Sequence, residues 1–152
     1  MNKALLLSVR AHFAEMIFEG TKTFELRRRQ PKVQRGDYLI IYVPAPFKRI
    51  AGIVAVDDVI EARVPTLWRR VRLNCGIAYR DFLSYFSGLS VGFGIVLTRP
   101  ARLASPVPLE ALRALEPGFS PQGYKYLSRD DITDALVRLR PYAGRRDQRI
   151  PS

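Results

Sequence analysis

Residues 20–29 read GTKTFELRRR, a stretch in which four cations, Lys22, Arg27, Arg28 and Arg29, accompany one carboxylate, Glu25. Cations of these types bind phosphate or carboxylate oxygens, and an acid set among them can accept from the amino group of a base. Phe24 and Leu26 alternate with Glu25 and Arg27, which is the period of a half-buried strand. Two readings are open. On an exposed face the charges form a solvated ladder, each neighbouring pair contributing ~0.2–1 kcal/mol. In the other, Lys22, Arg27 and Arg10 surround a pocket and Glu25 keeps one cation oriented; a purely electrostatic patch has no need of the acid.

Other residues could share that chemistry. Ser8 and Arg10 stand where an apolar run gives way to a helical pattern, and the first amides of a helix favour an anion. Ser8 is equally suited to capping that helix. Tyr42 can stack on a base, donate its hydroxyl or fill the core, and Lys48 follows in a Pro-rich turn. Residues 123–128, GYKYLS, interleave Tyr124 and Tyr126 with Lys125 ahead of Ser128, a stacking surface or a pair of rings packed under a helix. RNA cleavage needs groups that take a proton from a 2′-hydroxyl, protonate a leaving oxygen and stabilise charge at phosphorus. Tyr42, Lys48 and Ser128 offer a hydroxyl, a cation and a positioning group, with Lys22 and Glu25 as further catalytic candidates. The candidate nucleic-acid-binding set is therefore Ser8, Arg10, Lys22, Glu25, Arg27, Arg28, Tyr42, Lys48, Tyr126 and Ser128. His12, the sole histidine, has no His or Cys near it in sequence, so neither a metal nor another cofactor is expected. Cys75 reads as a buried structural thiol. Trp68 beside Arg69, Arg70 and Arg72 marks a basic helix, either a solvated face or part of a phosphate track.

The charge balance agrees with a polyanionic partner. Lys and Arg number 25 against 14 acids, a net charge of +11, and 20 of the 25 are Arg. The planar guanidinium suits phosphate oxygens and stacks on bases, so single-stranded RNA or another nucleic acid is the expected partner, with a protein partner as the alternative. One cysteine allows no disulfide framework within the chain. The apolar run near the amino terminus is too short for a signal peptide, and no run is long enough to span a bilayer, so a reducing cytoplasm is expected.

These side chains need elements to position them. Residues 3–9 read as a buried strand, residues 11–19 as a helix stopped by Gly20, and residues 38–43 (YLIIYV) as the clearest strand. Gly36-Asp37 is a turn signal before it, and Pro44 and Pro46 break it. Residues 50–60 form a strand with Gly52 marking a bulge or a sharp bend. Short helices are expected over 65–73 and 79–86, a strand over 91–98, then a Pro-bearing linker and helices over 109–115 and 130–139. Several strands follow one another without crossover helices. That order favours an α+β fold, a mixed or antiparallel β-barrel with flanking helices, over a doubly wound parallel sheet.

The stretch LLLSVRAHFAEMIFEGTKTFELRRR followed by GDYLIIYVPAPFKRIAGIVAV resembles the ASCH domain, of the PUA-like superfamily. Lys22, Thr23, Glu25 and Arg27 match its Lys-Thr-x-Glu-x-Arg element, Gly36 and Asp37 its turn, and Tyr42 its tyrosine-bearing strand. The likeness is clear over residues 4–60 and looser beyond. It implies a domain over residues 1–140, with a basic tail at 141–152 expected to be loosely held. It also implies a small barrel whose charged element lines a cleft beside the first helix, which favours the pocket reading. ASCH domains are viewed as RNA-binding or coactivator-associated modules. Some small members cleave RNA and others hydrolyse an acetylated cytidine. The latter use the motif lysine, a threonine two residues after its threonine, and a glutamate before the second helix. Here Lys22 matches, Glu25 stands at the threonine position, and Asn74-Cys75-Gly76 offers no carboxylate, so that activity does not transfer. The expectation is an RNA-binding module, with a ribonuclease or nucleoside hydrolase in the same cleft, or a coregulator-type interaction domain, as alternatives.

Overall fold

The computed structural model describes residues 3–115, 117–121 and 124–126. Along the chain these form β1 (Ala4–Ser8), α1 (Ala11–Glu19), β2 (Phe24–Arg27), β3 (Tyr38–Val43), β4 (Arg49–Arg63), α2 (Val64–Val71), α3 (Tyr79–Tyr85), β5 (Val91–Pro108), α4 (Leu109–Leu115) and β6 (Tyr124–Tyr126). The strands make one mixed sheet in the order β2-β5-β4-β3-β1-β6. β1 lies parallel to β3, with Ala4 opposite Tyr38 and Ser8 opposite Tyr42, while the other pairs are antiparallel.

The central strands are apolar at successive positions because both of their faces are covered. Ala4, Leu6, Ile40 and Tyr42 pack with Leu109 and Leu112 of α4. Their neighbours Leu5, Leu7, Leu39 and Ile41 pack with Ala14 and Ile17 of α1 on the opposite face. A third cluster lies towards the β2 edge, where Leu26 and Ile60 meet Leu67, Val71 and Phe82 of α2 and α3. Gly20 ends α1 at φ 85, where the left-handed backbone lets its N–H reach the Ile17 carbonyl. In the Gly36-Asp37 turn the buried Asp37 carboxylate accepts from the N–H groups of Lys3 and Gln34, both at 2.9 Å, which ties the start of β1 to the start of β3.

Three expectations change. The sheet is an α+β mixed sheet, but β2 and β6 are its edges and no pairing between them closes a barrel among the described residues. Strand order along a sequence does not determine whether the last strand meets the first. The linker after residue 98 is instead the second half of β5. Two of its prolines sit where the β4–β5 register shifts, Pro100 between the pairs Thr98–Ala55 and Ala101–Ile53 and Pro106 between Arg102–Gly52 and Val107–Ile50, so no ladder N–H is lost there. Residues 124–126, for which no strand is expected and whose rings read as a stacking surface or as packed under a helix, form an antiparallel edge strand on β1. The expected helix over 130–139 and the basic tail lie outside the described residues. No described helix is long and apolar enough to cross a membrane.

Candidate functional site

Three pieces of backbone converge at the end of β1. Ser8 closes the strand, and Val9 and Arg10 lead into α1, which carries Phe13. Beyond Gly20 the chain is pinned before it enters β2: the Lys22 N–H bonds the Met16 carbonyl and the Thr23 N–H bonds the Asn74 carbonyl. Lys22 is thereby folded inward and only 6% exposed. Its Nζ donates to the Cys75 carbonyl at 2.6 Å and to the Phe24 carbonyl at 2.9 Å, and lies 5.4 Å from the centre of the Phe13 ring.

Glu25 stands between two cations. One carboxylate oxygen is 3.9 Å from Lys22 Nζ and the other 4.0 Å from Arg27 Nη1. Burial pushes the Glu25 carboxyl above its ordinary range, with Lys22 and Arg27 pulling it back. Burial likewise pushes the Lys22 ammonium down, opposed by Glu25 and then by Cys75. Both shifts have one cause: water is scarce here and bare charge is costly. Lys22 and Glu25 thus face a cavity of about 280 Å³ that Ser8, Arg10, Phe13 and Arg27 also line.

The remaining candidates do not all enter that cavity. Arg28 belongs to a neighbouring space of about 570 Å³, lined also by Arg27, Arg29, Lys32 and Tyr85. Tyr42 and Lys48 line another, of about 450 Å³, with Arg113 and Ser120; it touches the first at Ser8. Tyr42 is buried, which raises its hydroxyl's pKa against the pull of Arg113. Lys48 holds a left-handed φ of 50, its carbonyl accepting from the Leu109 N–H at 2.9 Å. Tyr126 lies on β6 opposite Leu5, and Ser128 is outside the described residues. Ser8 does not cap α1; Arg10 holds the N-cap position and no side chain bonds there.

Tyr85 and Arg113 escaped sequence reading. Tyr85 ends α3, lines the first two cavities and donates its hydroxyl to the Leu26 carbonyl at 3.0 Å. Nothing in the sequence distinguishes its ring from those of Phe82 and Phe86, which are core. His12 is exposed on α1, and no group of three or more potential metal ligands occurs among the described residues. Trp68 packs against the rings of Tyr79 and Phe82. Cys75 is fully buried, and its backbone carbonyl accepts from Lys22 Nζ.

The model of the ASCH domain family matches residues 7–117. A Zymomonas mobilis protein named as an ASCH domain-containing ribonuclease is 28% identical over 137 residues, 90% of this chain and 92% of its own length. The crystal structure of ASCH from Zymomonas mobilis superposes with a TM-score of 0.80, covering 90% of this chain and 95% of that one at 28% identity. The N-terminal domain of Staphylothermus marinus McrB superposes at 0.60 over 91% of this chain and 94% of that one, at 13% identity, which speaks to the fold alone.

Proposed function

The chain belongs to the ASCH domain family, and from that footing we propose that it binds single-stranded RNA, taking a base at Glu25 and phosphates at the surrounding cations. The observation that carries the reading is the position of Glu25. Among the described residues it is the one acid lining a cavity that Arg10, Lys22 and Arg27 also line. A carboxylate there accepts from a base amino group or a 2′-hydroxyl, while the cations answer the backbone. An unstacked base can enter such a hollow, whereas a base within a duplex cannot. A cytoplasmic protein handling RNA is consistent with a lone reduced thiol at Cys75.

Fluorescence anisotropy with single-stranded and duplex RNA of equal length tests this. Single strands are expected to bind more tightly, and Arg27→Ala to weaken that binding. No detectable binding to either at low salt would overturn the proposal.

A second reading, that bound RNA is cleaved, is favoured by the Zymomonas relative's name as a ribonuclease and by the neighbouring cavity. There Lys48 and Arg113 would steady charge at phosphorus. The Tyr42 hydroxyl would give its proton to the leaving 5′-oxygen as the 2′-oxygen attacks phosphorus, with solvent water taking the 2′-hydroxyl proton and returning one to Tyr42. Turnover of end-labelled RNA is expected to fall about 100-fold in Tyr42→Phe with binding retained, the usual scale for losing a general acid. Undiminished turnover in that variant removes Tyr42 from the chemistry.

A further inference from the structure

We propose that the arginine-lined cavity beside the Glu25 cavity is a phosphate subsite, so that the ligand is a nucleotide chain running past Tyr85 and not a lone base or nucleoside. This rests on the RNA-binding reading and specifies its ligand.

The two cavities share a wall and divide the chemistry. Arg27 and Tyr85 line both. On one side stands Glu25; on the other, Arg27, Arg28, Arg29 and Lys32 supply four cationic side chains, and no acid lines that side among the described residues. An anion seated in that space would meet cationic side chains from four neighbouring positions of the chain.

The subsite is also partly organised in advance. Arg28 Nη1 donates to the Tyr85 carbonyl at 2.7 Å and Nη2 to the Ser87 carbonyl at 3.4 Å. Carbonyls orient a guanidinium without neutralising it, and two engaged donors of five leave others for a ligand. The Tyr85 ring is fixed in turn by its hydroxyl's bond to the Leu26 carbonyl, so the dividing wall is anchored to β2. The spacious side, about 570 Å³ against about 280 Å³, is the acid-free one. A base held at Glu25 places the next phosphate of its own strand beyond Tyr85, among the arginines.

The test is the affinity of a short single-stranded RNA, measured against salt, for the wild type, Arg29→Ala and Lys32→Ala. The same RNA with uncharged methylphosphonate linkages serves as the control ligand. Both side chains are exposed, and thermal unfolding verifies that the variants fold. Each substitution is expected to weaken RNA binding about threefold to tenfold and to flatten the log–log salt slope by about 0.7, the single-strand value per phosphate contact. Binding of the uncharged ligand is expected to be unchanged. If RNA binds but neither variant alters affinity or slope, or if the uncharged ligand loses as much, the phosphate subsite is overturned and RNA binding stands. If the wild type binds no RNA at low salt, both readings fall.

Discussion

Glu25 is held by two cations at 3.9 and 4.0 Å, yet burial outweighs their attraction and keeps its carboxyl above the ordinary glutamate value of 4.5. A group whose pKa rises on folding contributes stability that is fully present below its unfolded value and is lost as pH climbs through the folded one. Glu25→Gln removes that dependence. Relative to the wild type, the variant is therefore expected to gain stability as pH rises from about 4 to about 8, measured as urea unfolding at each pH. The reverse trend would mean that Lys22 and Arg27 win over burial. The types and spacing of Lys22, Glu25 and Arg27 were legible as chemistry before any fold was known. That Lys22 would be turned inward was not, because its partners are the carbonyls of Phe24 and Cys75. Every residue carries a carbonyl, so no side-chain pattern announces which will be aimed at a lysine.

At the scale of elements, the site depends on how closely α1 rides on the sheet. A Cβ placed on Gly52 of β4 would run into the Ala101 carbonyl and the Phe18 ring, and only the ring could swing aside. Gly52→Ala is expected to cost about 1–3 kcal/mol through the enforced backbone shift, read as a lowered midpoint of denaturant unfolding. Displacing Phe18 also displaces the helix that carries Phe13, so RNA affinity should fall with stability. Unchanged values of both would show that β5 yields there freely. The bulge at Gly52 was visible in the sequence, as were β1, α1 and β3, whose apolar runs are bounded by charges, Gly and Pro. The second half of β5 was hidden because Pro100 and Pro106 argue against a strand, and only the partner strand reveals that both fall at register shifts.

For the molecule as a whole, the question is whether the charge excess serves a ligand or only solubility. Six Arg and four Asp lie beyond residue 126, so nine of the eleven net positive charges belong to residues 1–126. Within that region cations recur from one cavity to the next. Arg28 and Arg29 lead through the shared Arg27 to Arg10 and Lys22, and across Ser8 to Lys48 and Arg113. Composition showed the surplus; only the fold shows that cavities sharing lining residues form a path along which the cations recur. A strand laid along that path and touching about four phosphates would release counterions with a log–log salt slope near −3. Titrations of single-stranded RNA over a range of salt concentrations measure that slope directly. A slope near zero would assign these cavities to a small ligand or a protein partner, and would leave the arginine surplus as a property of the surface alone.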